Sequence, residues 1–193
     1  MMFRAMLLCA PLVALTGAAS AADAPGAGAM RSFVESNVLG WAQETRVVSA
    51  IQSQNQRTAS ASAEDIAKWD TEWRSQVGTA ASPLIDQVLQ TPLSAFLSEQ
   101  VAASGGRINE IFVMDAQGLN VASSAVTSDY WQGDESKFSQ SFGQGAGTIF
   151  VDEVEFDEST QTYQGQVSVA LSDPATGAVI GAMTIGLNAE SFY

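Results

Sequence analysis

Residues 108–125 read Ile-Asn-Glu-Ile-Phe-Val-Met-Asp-Ala-Gln-Gly-Leu-Asn-Val-Ala-Ser-Ser-Ala. The first seven are rich in branched and aromatic side chains. Asp115-Ala116-Gln117-Gly118 carries turn chemistry, and an apolar run resumes at Leu119. That order predicts a β-hairpin with strands over 108–114 and 119–125. Further along, residues 148–156 and 162–171 read as strands three and four. Strand four alternates, with Tyr163, Gly165, Val167, Val169 and Leu171 on one face. Ser172-Asp173-Pro174-Ala175-Thr176-Gly177 is a hairpin loop, and residues 178–187 return as strand five. One parity of strand five is mostly small (Ala178, Ala182, Thr184, Gly186), which lets a helix or a ligand come close. Consecutive hairpins make the five strands antiparallel.

The N-terminal half has a different period. Val34, Val38, Trp41, Val48 and Ile51 follow three- and four-residue spacing, with Phe33 beside them and Thr45 as a polar gap. This predicts a long helix over about 30–56. Ser62, with Asp65 three residues on, is a capping pair for a second helix over 64–77, striped by Ile66, Trp69, Trp73 and Val77. The two tryptophans one turn apart read as core. Ser82-Pro83 and Thr91-Pro92 each place a capping residue before a proline, starting two short helices, and Ser104-Gly105-Gly106 ends the second. Helices segregated from an antiparallel sheet give the α+β class. The expected architecture is a long N-terminal helix and short helices packed on a five-stranded antiparallel sheet, in one domain over 30–193.

The first 29 residues lie outside that domain. One basic residue (Arg4) precedes an apolar run over 6–16, and Ala19-Ser20-Ala21 fits a cleavage site, so residues 1–21 read as a signal peptide. The run is far shorter than the ~20 residues that span a bilayer. Cys9 lies inside it, preceded by Leu8, unlike a lipoprotein cysteine. Residues 22–29, rich in Ala, Gly and Pro, read as a flexible leader. The product is expected to be periplasmic or secreted.

Composition narrows the chemistry. The chain has no histidine, and its one cysteine leaves with the signal. The commonest general base, the usual zinc ligands and any thiol nucleophile are therefore missing. The formal charge of −13 repels nucleic acid and anionic lipid. A carboxylate-pair hydrolase would need two acids picked out by spacing, and none are. The reading is non-catalytic, with no cofactor.

Three stretches resemble the extracytoplasmic PAS-like sensor domains of the PDC or Cache family. Residues 111–122 resemble the family's first hairpin, with its Asp-x-x-Gly turn. Thr127-Ser128-Asp129-Tyr130-Trp131-Gln132-Gly133-Asp134-Glu135 resembles the aromatic and acidic loop that follows. Residues 173–181 resemble the last hairpin, returning through Ile180-Gly181. The resemblance implies a single-module PAS-like sensor domain holding a small molecule between its sheet and the loops over it. Family members feed a kinase or chemoreceptor through a following membrane helix. The sequence ends at Tyr193, just past strand five, so a free ligand-binding or modulatory subunit of a signalling system is expected, with a membrane receptor or kinase as partner.

The loop itself supplies what a small-ligand pocket needs. Tyr130 and Trp131 offer flat surface with a polar tip, Asp129, Asp134 and Glu135 offer charge, and Gln132 both donates and accepts. Tyr163 on strand four is added to this set. Aromatic faces beside carboxylates suit a cationic ligand such as an amine or amino acid. Calcium is a rival use of the acids, although the EF-hand spacing is absent. The acids at 152, 153, 155, 157 and 158 read as a solvated edge that resists aggregation. A ligand-free interaction module, pairing through the long first helix around Trp41, is the remaining alternative.

Overall fold

A computed structural model of the chain describes residues 26–157 and 162–193. The expected signal peptide, most of the leader and Glu158 lie outside the described residues. The architecture is α+β and PAS-like. Six antiparallel strands form one sheet: β1 (Ile108–Met114), β2 (Asn120–Ser123), β3 (Ile149–Val151), β4 (Glu155–Asp157), β5 (Thr162–Ser172) and β6 (Val179–Asn188). Their order is β2-β1-β6-β5-β3, and β4 also pairs with β5. The first and last strands of the sequence thus meet at its centre, Ile111 opposite Ile185 and Val113 opposite Met183.

The expected third strand is two short ones. Val151 pairs with Val167 and Glu155 with Gln164, so one more residue lies on the edge than on β5. A bulge takes up the surplus and bends the edge.

The long helical stretch begins at Ala27, earlier than expected, and runs in three segments: α1 (Ala27–Asn37), α2 (Leu39–Ala42) and α3 (Thr45–Thr58). The second break falls at the polar gap. Glu44 is extended and caps α3, so Thr45 starts a new helix instead of facing the core. The rotation brings Val47 inward beside Val48 and Ile51. Trp41 is half-buried, its ring edge-on to Phe96 at 5.4 Å. Helices α1, α3 and α6 (Pro92–Ala103) cover one face of the sheet. Val34, Val38, Ile51 and Leu97 pack there on Ile111, Val113, Val167, Val169, Ile185 and Leu187. Val167, Val169 and Leu171 of β5 and Met183, Ile185 and Leu187 of β6 face this core, whereas Tyr163, expected on the same face of β5, is 53 % exposed near the strand's start.

Helix α4 (Ala63–Gln76) has the expected capping box: Ser62 Oγ accepts from Asp65 N–H while the Asp65 carboxylate accepts from Ser62 N–H. Asp65 holds its carboxyl below the usual range, first through that backbone bond and then through the Ser62 hydroxyl. Trp73 is wholly buried, as core. Val77 instead caps the helix and is 43 % exposed. α5 (Pro83–Leu89) and α6 both start at proline, and Thr91 Oγ1 accepts from Ser94 N–H. Among the described residues no helix is long and apolar enough to cross a membrane.

Candidate functional site

The opposite face of the sheet carries Phe112, Met114 and Ala182. Helix α7 (Ser136–Ser139) closes one end of it, with Phe138 stacked on Phe142 at 4.8 Å. The small parity of β6 faces this side. A Cβ on Gly186 would lie 2.6 Å from Gln164 Nε2 and 2.7 Å from Glu110 Cγ, so glycine makes room for those two side chains.

The loop over this face is built onto the first hairpin. Asp115 is fully buried. Its Oδ1 accepts from Gln117 N–H (2.8 Å) and Leu119 N–H (3.0 Å), and its other oxygen accepts from the Thr58 hydroxyl (2.8 Å). Gly118 has φ +81°, and a Cβ there would stand 2.5 Å from Gly133 Cα. Two glycines thus let the loop lie directly on the turn. Gln132 N–H donates to Gly118 O, and Trp131 Nε1–H donates to Gln117 O, both at 2.8 Å.

A second anchor comes from α4. Asp70 Oδ1 accepts from both Tyr130 N–H and Trp131 N–H, each at 3.0 Å. Arg74 bridges the Asp70 and Asp129 carboxylates at 2.7 Å each. Trp73 donates from Nε1 to Thr127 O at 2.8 Å and stacks on Tyr130 with centroids 5.4 Å apart. Burial, aided by the Asp115 charge, pushes the Tyr130 phenol up to about 12.

Between this loop and the sheet lies a cavity of about 570 Å³. Its floor is Glu110, Phe112, Gln164 and Gln166, and the loop side contributes Thr127, Gln132, Glu135 and Lys137. The bulged edge adds Asp152, Glu153, Glu155 and Phe156. Gln164 is fixed from both ends: it donates to Glu110 Oε1 (2.7 Å) and accepts from Asn109 Nδ2 (3.0 Å). Lys137 is paired with Glu135 at 2.9 Å and lies 5.4 Å from the Phe112 ring centroid. Carboxylates outnumber this single ammonium around the cavity, so its field is negative. Val77, Val126 and Phe156, each over 40 % exposed, also line it. Exposed Tyr163 packs edge-on against Phe156 at 5.5 Å. Among the described residues no group of three acids is arranged to hold a metal ion.

The candidate residues are therefore distributed. Gln132 and Glu135 line this cavity, while Tyr130 lines a different one, on the far side of its loop. Tyr163 reaches the rim through Phe156. Asp129 is held by Arg74 and Trp131 by the hairpin turn, and neither lines either cavity, nor does Asp134. Sequence reasoning missed Glu110, Phe112, Gln164 and Gln166. The alternation of strand four does put 164 and 166 opposite the apolar positions, which is the available signal for two of them.

No protein-family model matches the chain, and no curated protein matches it. Solved structures that match include the V. cholerae histidine kinase DctB sensor domain, 9% identical, with a TM-score of 0.42, covering 86% of this chain and 57% of that one. The extracellular domain of the putative histidine kinase rpHK1S-Z16 is 16% identical, with a TM-score of 0.44 and coverage of 85% and 60%. The ligand-binding domain of the Campylobacter jejuni chemoreceptor Tlp3 in complex with L-norvaline is 13% identical, with a TM-score of 0.43 and coverage of 86% and 55%. The chain spans less than two thirds of the length of each.

Proposed function

We propose that this chain is an exported, non-catalytic sensor-type domain that binds a small cationic molecule, an amine or an amino acid, between its sheet and the loop over it. In this reading it serves as a ligand-binding or modulatory subunit of a signalling system, with a membrane receptor or kinase as its partner. The observation that carries the reading is the cavity's lining: Glu110, Asp152, Glu153 and Glu155 together with Phe112 and Phe156, beside the exposed Val77 and Val126. A ligand ammonium gains from both carboxylates and ring faces. An amino acid would also offer a carboxylate to Lys137. The volume suits a molecule of that size. The buried stripe of α1 and α3 is used within this chain, so a homodimer through the first helix would have to use its outward face.

A thermal-shift screen against amines, amino acids, organic acids, purines and divalent ions tests this, because a ligand that binds only the folded state raises the midpoint. The expected result is a shift from amines or amino acids that Phe112→Ala or Glu155→Gln removes. A shift with calcium alone, or none from any class, would refute it.

A further inference from the structure

On the other side of Tyr130 lies a cavity of about 750 Å³, between α3 and the α5–α6 pair. Its electrostatics are the reverse of the first. Arg46 and Arg57 line it, and no acidic residue does, although acids outnumber lysines and arginines 21 to 8 in the chain. Arg46, Ser49, Ser53 and Arg57 recur at helical spacing, so they form one face of α3. The two arginines are roughly 16 Å apart along the axis.

They are not equivalent. Arg46 is paired with Glu44 at 2.8 Å and lies 4.3 Å from the Phe96 ring centroid. Arg57 has no ion pair among the described residues. Apolar surface comes from Val88, Leu93 and Val121, and the buried Tyr130 completes the lining. A guanidinium without a carboxylate, above an apolar floor and among hydroxyl and amide groups, is the arrangement that takes a planar anion carried on an apolar body.

We propose that this cavity is a second binding site, selective for an organic carboxylate with an apolar body, whose charge pairs with Arg57 and whose body lies on Val88, Leu93 and Val121. The site is independent of the cation-binding reading above. Tyr130 joins the two regions, because it lines this cavity while its loop neighbours Gln132 and Glu135 line the other.

Calorimetric titration of the protein with octanoate, benzoate and inorganic phosphate tests the assignment. Octanoate or benzoate is expected to bind saturably. Arg57→Gln should weaken that binding roughly 10- to 100-fold, the worth of one charge-assisted contact. Arg57 is exposed, so this variant should melt as the parent does. Lys68→Gln, exposed on α4 and outside both cavities, should leave carboxylate binding unchanged. Octanoate binding without benzoate, matched by binding to fatty-acid-containing vesicles, would identify a lipid source. Benzoate binding would identify a free aromatic acid. Binding of phosphate alone, loss of binding in Lys68→Gln but not Arg57→Gln, or no saturable heat from any of the three would each overturn the proposal.

Discussion

Removing the Asp70 carboxylate should loosen the aromatic loop from α4, and two substitutions separate the forces involved. Oδ1 of Asp70 accepts both loop N–H groups at 3.0 Å, while Oδ2 meets Arg74 at 2.7 Å. Asp70→Ala removes both charge-assisted backbone bonds and strands the N–H of buried Tyr130. At about 1.5–3 kcal/mol for each bond to a charged group, the loss is about 3–6 kcal/mol. Asp70→Asn keeps a carbonyl oxygen where Oδ1 stood, so both bonds persist as neutral ones. It also loses the Arg74 pair, but the Arg74 side chain is 59% exposed, which limits that contribution to about 1 kcal/mol or less. The expected cost of the asparagine is thus about 1–2 kcal/mol. For a domain of this size each kcal/mol moves the midpoint by roughly 2–4 °C. Thermal unfolding followed by circular dichroism should place Asp70→Ala about 10 °C below the parent and Asp70→Asn about 4 °C below. Equal losses for the two variants would mean that the ion pair, not the backbone bonds, holds the loop. A loss under about 0.5 kcal/mol for the alanine would mean that the Asp70 carboxylate does not hold the loop.

Gly181→Ala should cost about 2–3 kcal/mol by urea unfolding, because its Cβ would stand 2.2 Å from the backbone oxygen of Met114 and force β1 from β6. Gly165→Ala meets the end of the Met30 side chain, at 2.5 Å, with Val154 Cγ2 at 3.4 Å, and should cost about 1 kcal/mol. Trp73→Phe removes the donor to Thr127 O and part of the stack on Tyr130, and should destabilise by about 2 kcal/mol in the same assay. The Tyr130 phenol titrates near 12 in the folded state against 10.0 ordinarily, chiefly through burial. The unfolded chain therefore releases that proton first, and the stability present below pH 10 is lost as pH rises from 10 to 12. Tyr130→Phe should flatten that part of the stability–pH profile, and an unchanged slope would show that the hydroxyl does not face a desolvated site.

Much of the fold could be read along the chain because its signals are local. Period-two alternation in residues 162–171 located β5, Asp115 and Gly118 located the first turn, and Ser62, Pro83 and Pro92 located three helix starts. The break at Glu44 was less legible. A single polar gap in an apolar stripe is compatible with a continuous helix until packing on the sheet demands that Val47 and Val48 both turn inward. The bulge between Val151 and Glu155 is likewise a matter of register, and register depends on the partner strand.

The candidate loop shows the same division. Its sequence marked residues 127–135 as rich in chemistry, but chemistry does not say which side chains face a ligand. Tertiary contacts turn Asp129 and Trp131 to structural use, through Arg74 and the hairpin turn, and leave Gln132 and Glu135 at the cavity. The α+β class, the antiparallel hairpins, the caps and the acidic balance follow from local sequence, since each depends on neighbours within a few residues or on composition alone. The two cavities of opposite charge arise from packing between distant segments. Glu110, Lys137 and Glu155 converge on one, and Arg57 and Leu93 on the other, across separations that no local pattern spans.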